Sequence, residues 1–350
     1  MLKNNRTEQL IKAVLVCCLA ALIMLYPSQA AAGTVRSINV CIESIIPSMF
    51  AFMVISTYIQ SSGLYRIIFR PLMPLMKLLI RADESIISIF LLSLIGGYPV
   101  GIKLLKENSE RTKRIDGNVV PAETAAAFCY CISPSFALIM IGSGVFGSSA
   151  AGGVIYISNI AACLITGIIV SRISDLRSGT VVTGSSGGLT EAVNSASRAL
   201  FTVCSVIVAF NITLTCVSSL LEDFGVKPPA LLLGTLEISN LLGIERPSVS
   251  LIPLVSAIAS TGGACVLLQC AAIAGKGFSK TKFLIARLPC AVLSGVISFV
   301  ILQFTEISVT VSTISPEYDL TLSANKLIVP VLIAMCIIIF YRSDKIFRKV

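Results

Sequence analysis

Residues 94–103 read LIGGYPVGIK, and this stretch interrupts a strongly apolar run with four residues that disfavour a helix: Gly96, Gly97, Pro99 and Gly101. Glycine permits unusual backbone dihedrals and proline removes a backbone donor, so the stretch predicts a break in a helix. Irregular backbone is tolerated at membrane depth only where protein or a water-filled cavity satisfies its polar groups. We therefore predict a half-helix of about 12 residues from Glu84, a turn at 96–99 and a returning segment.

The composition around this stretch indicates a membrane protein. Of the 350 residues, 55% are hydrophobic and 13% are charged, and the mean hydropathy is +0.91. Soluble domains carry roughly 25% charged residues, and a helix of about 20 apolar residues crosses a bilayer. The sequence thus predicts an all-α polytopic membrane protein with a single transmembrane domain over 1–350. The net charge of +9 is attributed to basic cytoplasmic loops rather than to nucleic-acid binding.

Several kinds of chemistry lack their usual residues. The chain has no His, which removes the usual ligand or base from zinc, haem and Ser-His-Asp sites. Cys129 and Cys131 form a lone CxC pair, and the 12 cysteines mostly lie in apolar runs, where they suit packing. No Walker motif is present. We expect no enzyme activity, catalytic residue, metal site or cofactor, and leave proton or sodium open as a coupling ion.

Long apolar segments predict about eight transmembrane helices, at 12–32, 45–61, 122–147, 150–171, 199–220, 248–274, 284–304 and 326–341. Two shorter apolar stretches, 85–102 and 230–244, are predicted to be re-entrant hairpins. Between 63 and 81, basic residues are spaced among aliphatic ones, which is typical of an amphipathic helix on the membrane surface. The first segment also resembles a signal peptide, but we favour a retained helix.

The distribution of Lys and Arg predicts the orientation. If the eight long segments cross and the two short ones enter and leave on one side, most of the 27 Lys and Arg lie on the side of both termini. The other side holds Arg36, Lys227, Arg246 and Lys326. Basic loops face the cytoplasm, so both termini are predicted to be cytoplasmic.

This topology contains an inverted repeat. The segments 45–171 and 199–304 have the same order of parts in opposite orientation, and helices at 12–32 and 326–341 flank them. Inverted repeats with paired short or Gly/Pro-interrupted segments are typical of secondary transporters.

Further irregularities accompany the first break. Pro134 follows Ser133 inside a predicted span, Gly262 and Gly263 interrupt another, and Glu237 is the carboxylate of the second short segment. Acids inside a membrane are costly and usually face a cavity or a partner, so we predict a substrate site here. Its predicted residues are Gly96, Gly97, Tyr98, Pro99, Ser133, Pro134, Ser135, Glu237, Ser239, Asn240, Ser260, Thr261, Gly262, Gly263 and Gln269.

These features also have structural interpretations. The glycines suit a tight contact between helices, and Glu237 suits an interfacial position paired with Arg246. We predict that Lys103 and Arg287 are snorkelling boundary residues rather than ligands.

At these residues the sequence resembles the nucleoside-recognition (Gate) domain membrane proteins. The likeness covers roughly residues 10–305, and it is greatest to the sporulation integral membrane proteins of endospore formers. It is carried by the stretches IPSMFAFMVIS, GGYPVGIKL, FCYCISPSF, LEISNLLG and STGGACVLLQ, in this order. The resemblance implies a plan similar to concentrative nucleoside transporters, with hairpin tips at 96–99 and 237–240 and broken helices at 133–135 and 260–263. It also implies a dipicolinate-like or nucleoside-like solute and a bacterial cytoplasmic or forespore membrane.

One departure from the family bears on the substrate. The family tends to carry Asn and Gly before the proline of the first broken helix, whereas this chain has Tyr130, Cys131, Ile132 and Ser133. Two hypotheses result: a secondary transporter of a small polar or aromatic solute by alternating access, and a non-transporting membrane scaffold or assembly protein with a degenerate form of this fold. The expected partners are the solute and the lipid bilayer, with no nucleic acid, and a homo-oligomer is left open.

Overall fold

Helices form most of the chain. The computed structural model describes residues 2–111, 122–176, 188–245, 247–275 and 278–309. Within these ranges, β pairing is limited to an isolated bridge between Ala82 and Leu176. The all-α prediction is therefore confirmed, whereas the predicted helix at 326–341 lies outside the described residues.

The first predicted span is broken near its middle. Helix α1 (Leu2–Leu25) ends before Tyr26, and α2 (Pro27–Val40) leaves at an angle of 97° to it. Proline has no backbone N–H and disfavours helical dihedrals in the preceding residue, so Pro27 begins a new helix. The prediction of one uninterrupted helix at 12–32 is therefore wrong. The chain then stays helical through a π-helical turn at Cys41–Ile45 and α3 (Ile46–Ser61).

The predicted surface helix at 63–81 is divided in two. Helix α4 (Tyr65–Ile68) and helix α5 (Met73–Leu79) are separated by a turn that contains Pro71. The ring of Pro71 would clash with the carbonyl group one helical turn earlier, which favours a break in the helix at this position. The single amphipathic helix predicted here is therefore wrong.

Residues 94–103 end one helix and begin another. Helix α6 (Glu84–Gly96) has 13 residues, and α7 (Tyr98–Arg111) follows after Gly97 alone. Gly97 has a φ of 83°, a left-handed value that favours glycine. The two helices pack against each other. The predicted break is confirmed, and α6 has nearly the predicted length.

The predicted span at 122–147 is also interrupted. Helix α8 (Ala122–Ala126) is followed by non-helical backbone over 127–133, and the helix resumes at Pro134. It continues as a π-helix at Phe136–Ser143 and as α9 (Gly144–Phe146). Proline is favoured in the first turn of a helix, where a backbone donor is unpaired in any case. The predicted interruption beside Ser133 is confirmed.

The rest of the described chain repeats this use of long helices and breaks. Helix α10 (Ser149–Ile173) matches its predicted span, and α11 (Leu189–Asp223) begins well before the predicted position 199. The second short segment consists of α12 (Ala230–Leu236), Glu237 and a 3-10 helix at Ile238–Gly243. After a 3-10 turn at Val249–Leu251, the final helices are α13 (Ile252–Thr261), α14 (Gly263–Ala274) and α15 (Lys280–Leu302).

Among the described residues, four helical stretches are long and apolar enough to cross a membrane. They are α10, α11, Val249–Ala274 and α15, and the bent pair of α1 and α2 adds a fifth if it is counted as one span. The predicted spans at 45–61 and 122–147 contain shorter apolar helices, Met49–Ser61 and Phe136–Phe146.

Helix α15 shows that the polar side of a helix faces the protein interior. Its exposed face carries Ile285, Leu288, Val292, Val296 and Phe299, whereas its buried face carries Arg287, Cys290, Ala291, Ser294 and Ser298. In water the hydrophobic effect favours the reverse arrangement. Lipid imposes no such penalty on apolar side chains, and small or polar residues then favour helix–helix contacts. The buried face packs on α10 and α13, where the core of the described fold lies.

Candidate functional site

The turn between α6 and α7 lies against the non-helical stretch 127–133. Gly96, Gly97, Tyr98 and Pro99 are buried. A Cβ atom at Gly97 would lie 3.1 Å from Cβ of Ser133, so the glycine permits the two backbones to approach. The hydroxyl of Ser133 accepts a hydrogen bond from the backbone N–H of Phe136 at 3.3 Å. The predicted tip at 96–99 and the predicted break at 133–135 are thus in contact.

Side chains from other helices satisfy the backbone of the non-helical stretch. The N–H of Ile132 donates to Oδ1 of Asn159 at 3.1 Å, and the thiol of Cys163 donates to the carbonyl oxygen of Tyr130 at 3.6 Å. Buried peptide groups outside regular structure need such partners. Asn159 and Cys163 both belong to α10, so α10 supports the break.

Two tyrosines connect the first short segment and this break to the second broken helix. The hydroxyl of Tyr98 donates to the carbonyl oxygen of Ala259, and that of Tyr130 donates to the carbonyl oxygen of Thr261 at 2.6 Å. The two rings are in contact, with centroids 4.6 Å apart. Both acceptors lie in the last turn of α13, directly before Gly262, whose φ is 73°. Tyr130 therefore satisfies a carbonyl group at the end of α13, whereas the carbonyl oxygen of Ala259 also accepts the N–H of Gly262 at 3.2 Å.

Arg287 joins the same two breaks from α15. Its Nη1 donates to the carbonyl oxygen of Ala127 at 2.8 Å, and its Nη2 donates to the carbonyl oxygen and hydroxyl of Ser260 at 2.6 and 3.0 Å. The guanidinium carbon also lies 4.7 Å from the ring centroid of Tyr130. Arg287 is 0% exposed, so the prediction that it snorkels at a membrane boundary is wrong. Five donors allow one guanidinium to bind several carbonyl groups, which compensates for part of its burial.

Lys103 is also buried rather than snorkelling. It is 3% exposed, and its Nζ donates to the hydroxyl of Thr57 at 2.7 Å and to Oε1 of Glu107 at 2.8 Å. The same Oε1 accepts a hydrogen bond from the hydroxyl of Ser195. A charged amine in the interior requires such partners. Glu107 lies one helical turn away on α7, whereas Thr57 lies 46 residues away, so the burial of Lys103 depends in part on a tertiary contact.

The second short segment bends at Glu237. Its side chain is 4% exposed and caps the 3-10 helix that follows, because Oε2 accepts the N–H of Ser239 at 3.0 Å and also its hydroxyl. The amide of Asn240 lies 3.5 Å from the same oxygen. The alternative partner Arg246 lies outside the described residues. The three predicted residues of this tip therefore form one polar cluster.

This segment also meets the second broken helix. A Cβ atom at Gly263 would lie 3.2–3.4 Å from the carbonyl oxygens of Gly234, Thr235 and Leu236, at the end of α12. Gly263 has a φ of 76°. The break at Gly262 and Gly263 therefore lets α14 begin beside the end of α12.

A cavity of about 190 Å³ with polar and apolar lining residues opens beside the second short segment. Ser239 and Asn240 form one wall, Arg36 on α2 forms another, and Asn211 on α11 forms a third. Sequence reasoning assigned Arg36 only to a loop and did not single out Asn211. These two residues could have been identified from the sequence, because a basic residue and an amide are unusual within apolar segments.

The predicted residues thus form two neighbouring groups. In the first group, the tip at 96–99 contacts the first break, and Tyr130 and Arg287 join that break to Ser260 and Thr261. The second group consists of Glu237, Ser239 and Asn240, beside the cavity. Pro134 and Ser135 begin the helix after the first break. Gln269 is buried apart from these contacts, and its amide donates to Sγ of Cys265 at 3.3 Å. In the described part of the chain, no group of three His, Cys, Asp or Glu residues is placed to hold a metal ion.

Fold and site together define an all-helical protein with membrane-length apolar helices and buried, broken helices around fixed polar groups. Comparison of the chain with protein-family models, curated proteins and solved structures finds no match.

Proposed function

We propose that the chain is a secondary transporter that moves a small polar or aromatic solute across a bacterial membrane by alternating access. In this proposal, about eight helices cross the membrane and the two short segments are re-entrant hairpins. Residues 45–171 and 199–304 are the two inverted repeats. Both termini face the cytoplasm, and the resemblance to Gate-domain proteins suggests a dipicolinate-like or nucleoside-like solute.

The observation that carries this proposal is the meeting of four interruptions in the interior. Each short segment contacts the broken helix of its own half: Gly97 approaches Ser133, and the end of α12 approaches Gly263. The two breaks are then joined to each other by Arg287. Paired short segments and broken helices of this kind form the substrate and ion sites of secondary transporters.

The free-energy cost of burying polar side chains around these breaks also favours a functional role. Four uninterrupted helices would satisfy the same peptide groups without buried Arg, Tyr and Asn side chains. Buried ionisable residues in a membrane are expensive and are usually functional. A scaffold needs none of these interruptions, so the scaffold hypothesis is the alternative that the experiment below tests.

Uptake by the purified, reconstituted protein tests the proposal. We expect proteoliposomes to accumulate labelled pyridine-2,6-dicarboxylate or uridine above protein-free vesicles. Gly97→Leu should reduce uptake at least tenfold, because a side chain at a left-handed glycine facing Ser133 displaces the turn. Ile95→Leu is the matched control, since Ile95 is exposed in the same helix.

The outcome separates transport from a structural role. A folded wild-type protein that neither takes up nor is stabilised by these solutes would support the scaffold hypothesis. If Gly97→Leu lowers the melting temperature but the surviving folded protein keeps its substrate-induced shift, the turn is a packing contact only.

A further inference from the structure

The cavity beside the second short segment contains polar groups that the protein itself leaves unused. Among the described residues that line it, Arg36 is the only charged one, and Asn211 and Ser218 line it from α11. In the described structure, the side chains of these three residues form no hydrogen bond or ion pair. Arg36 is exposed and Asn211 and Ser218 are half-buried, so all three side chains are accessible to a ligand that enters the cavity.

The charges around the cavity favour an anion. Glu237 is the carboxylate that acts on Arg36, but its Oε2 is already occupied by Ser239 and approached by Asn240. The remaining lining groups are neutral. Ser37, Thr215, Ser239 and Asn240 already donate within the protein, which leaves Asn211 and Ser218 as the neutral donors. A guanidinium binds a carboxylate through two parallel hydrogen bonds, a geometry that a neutral solute cannot match.

We propose that this cavity binds the carboxylate of a small organic acid, with Arg36 as the charged anchor and Asn211 and Ser218 as neutral donors. The volume of about 190 Å³ suits a solute of few non-hydrogen atoms rather than a nucleotide or a peptide. The site deepens the proposed transport function, because it assigns the solute to the carboxylic acids. Binding does not require transport, so the two proposals can fail separately.

Thermal unfolding of the full chain in detergent, with benzoate and benzamide at equal concentrations, tests this site. The two probes have nearly the same shape and differ in charge. We expect benzoate to raise the melting temperature and benzamide to have at least tenfold weaker effect. Arg36→Gln should weaken benzoate binding at least tenfold, and Arg36→Lys should weaken it less. Arg70→Gln is the matched control, because Arg70 is an exposed arginine away from the cavity.

Each result decides the proposal. Equal shifts with benzamide, unchanged benzoate binding by Arg36→Gln, or no shift with benzoate in the folded wild type would overturn it. Benzoate binding that depends on Arg36 but is accompanied by no uptake of any carboxylate would support the site and contradict the transport function.

A second inference comes from Arg287, independently of the cavity. Carbonyl oxygens at the ends of broken helices carry partial negative charge, and in transporters such groups coordinate Na⁺. Here the guanidinium binds these carbonyl groups at both breaks, at Ala127 and Ser260. Among the described residues, no carboxylate is paired with it.

We infer that Arg287 is a resident cation that occupies the place of a free ion between the two broken helices. The positive charge that neutralises the carbonyl groups is then covalently attached and does not dissociate. The wild-type protein should consequently need no sodium at this position.

Cation dependence of stability tests this inference without any measurement of transport. We expect the wild-type melting temperature to be the same in sodium chloride and choline chloride. Arg287→Ala should melt lower, and millimolar guanidinium or sodium should restore part of the loss, whereas guanidinium should not stabilise the wild type. Arg287→Lys, which keeps a charge, should lose less than Arg287→Ala.

Two results would overturn the inference. One is a wild-type protein that is stabilised by sodium over choline. The other is an Arg287→Ala protein, folded but less stable, that responds to no added cation.

Discussion

Glu237 combines a buried carboxylate with a position beside the cavity. Glu237→Gln keeps the size of the side chain and removes its charge, so the capped turn should persist. We expect uptake to fall about tenfold, equivalent to about 1.4 kcal/mol, with normal abundance in the membrane. Transport assays and immunoblots of the same vesicles measure both quantities. Glu245→Gln is the control, because Glu245 is an exposed carboxylate whose partner at 3.7 Å, Lys227, is exposed as well. Normal uptake by Glu237→Ala would exclude a role in proton coupling or substrate binding.

Tyr130 stabilises the junction of the two breaks through a single hydroxyl. Tyr130→Phe keeps the ring contacts with Tyr98 and Arg287 but leaves the carbonyl oxygen of Thr261 without this donor. We expect a loss of about 1–3 kcal/mol in unfolding free energy, measured by denaturation in detergent. In Tyr58→Phe, the hydroxyl removed has no hydrogen bond in the described structure, so the change should be under about 0.5 kcal/mol. Equal effects of the two substitutions would contradict the assigned role.

Among the secondary-structure elements, the turn between α6 and α7 permits backbone strain to be distinguished from side-chain contact by substitution. Gly97 and Gly63 both have left-handed φ values, 83° and 75°, but a Cβ would meet Ser133 only at Gly97 and finds open space at Gly63. Gly97→Ala should therefore lower the melting temperature more than Gly63→Ala, by the equivalent of about 1 kcal/mol or more. Thermal unfolding of both variants measures the difference. Equal losses would mean that the contact with Ser133 contributes nothing.

Prolines account for several of the breaks between helices. Pro27 and Pro134 each begin a helix, and Pro71 lies in the turn between α4 and α5, because the missing N–H and the ring clash act on the preceding turn. Pro289 lies inside α15 without ending it, in a helix that packs on α10 and α13. Proline therefore indicates helix starts reliably in this chain, but it does not always end a helix.

At the scale of the whole molecule, the proposed topology makes a prediction for its loops. We expect residues 106–118 in the cytoplasm and 305–325 on the opposite side, because Lys and Arg concentrate on one side of the proposed topology. Reporter fusions after residues 115 and 315 measure this, with a fusion after 183 as the control expected to match 115. Fusions at 115 and 315 on the same side would contradict the inverted repeat.

The all-α class and the breaks at Gly97, Pro134 and Gly262 could be predicted from the amino-acid sequence alone. These features depend on apolar run length and on backbone dihedrals, which are properties of neighbouring residues. The half-helix from Glu84 followed from the same local rules.

The side chains that surround the breaks could not be predicted in this way, because they come from distant parts of the chain. Arg287 and Ala127 are 160 residues apart in the chain, and Arg36 lines one cavity with Asn211 and Ser239 only because α2, α11 and the second short segment converge. A charge near the end of an apolar run has the same local pattern whether it reaches the interface or binds carbonyl groups in the interior. The choice depends on which distant partners the fold brings within hydrogen-bonding distance, since burying the charge is favourable only when they are present.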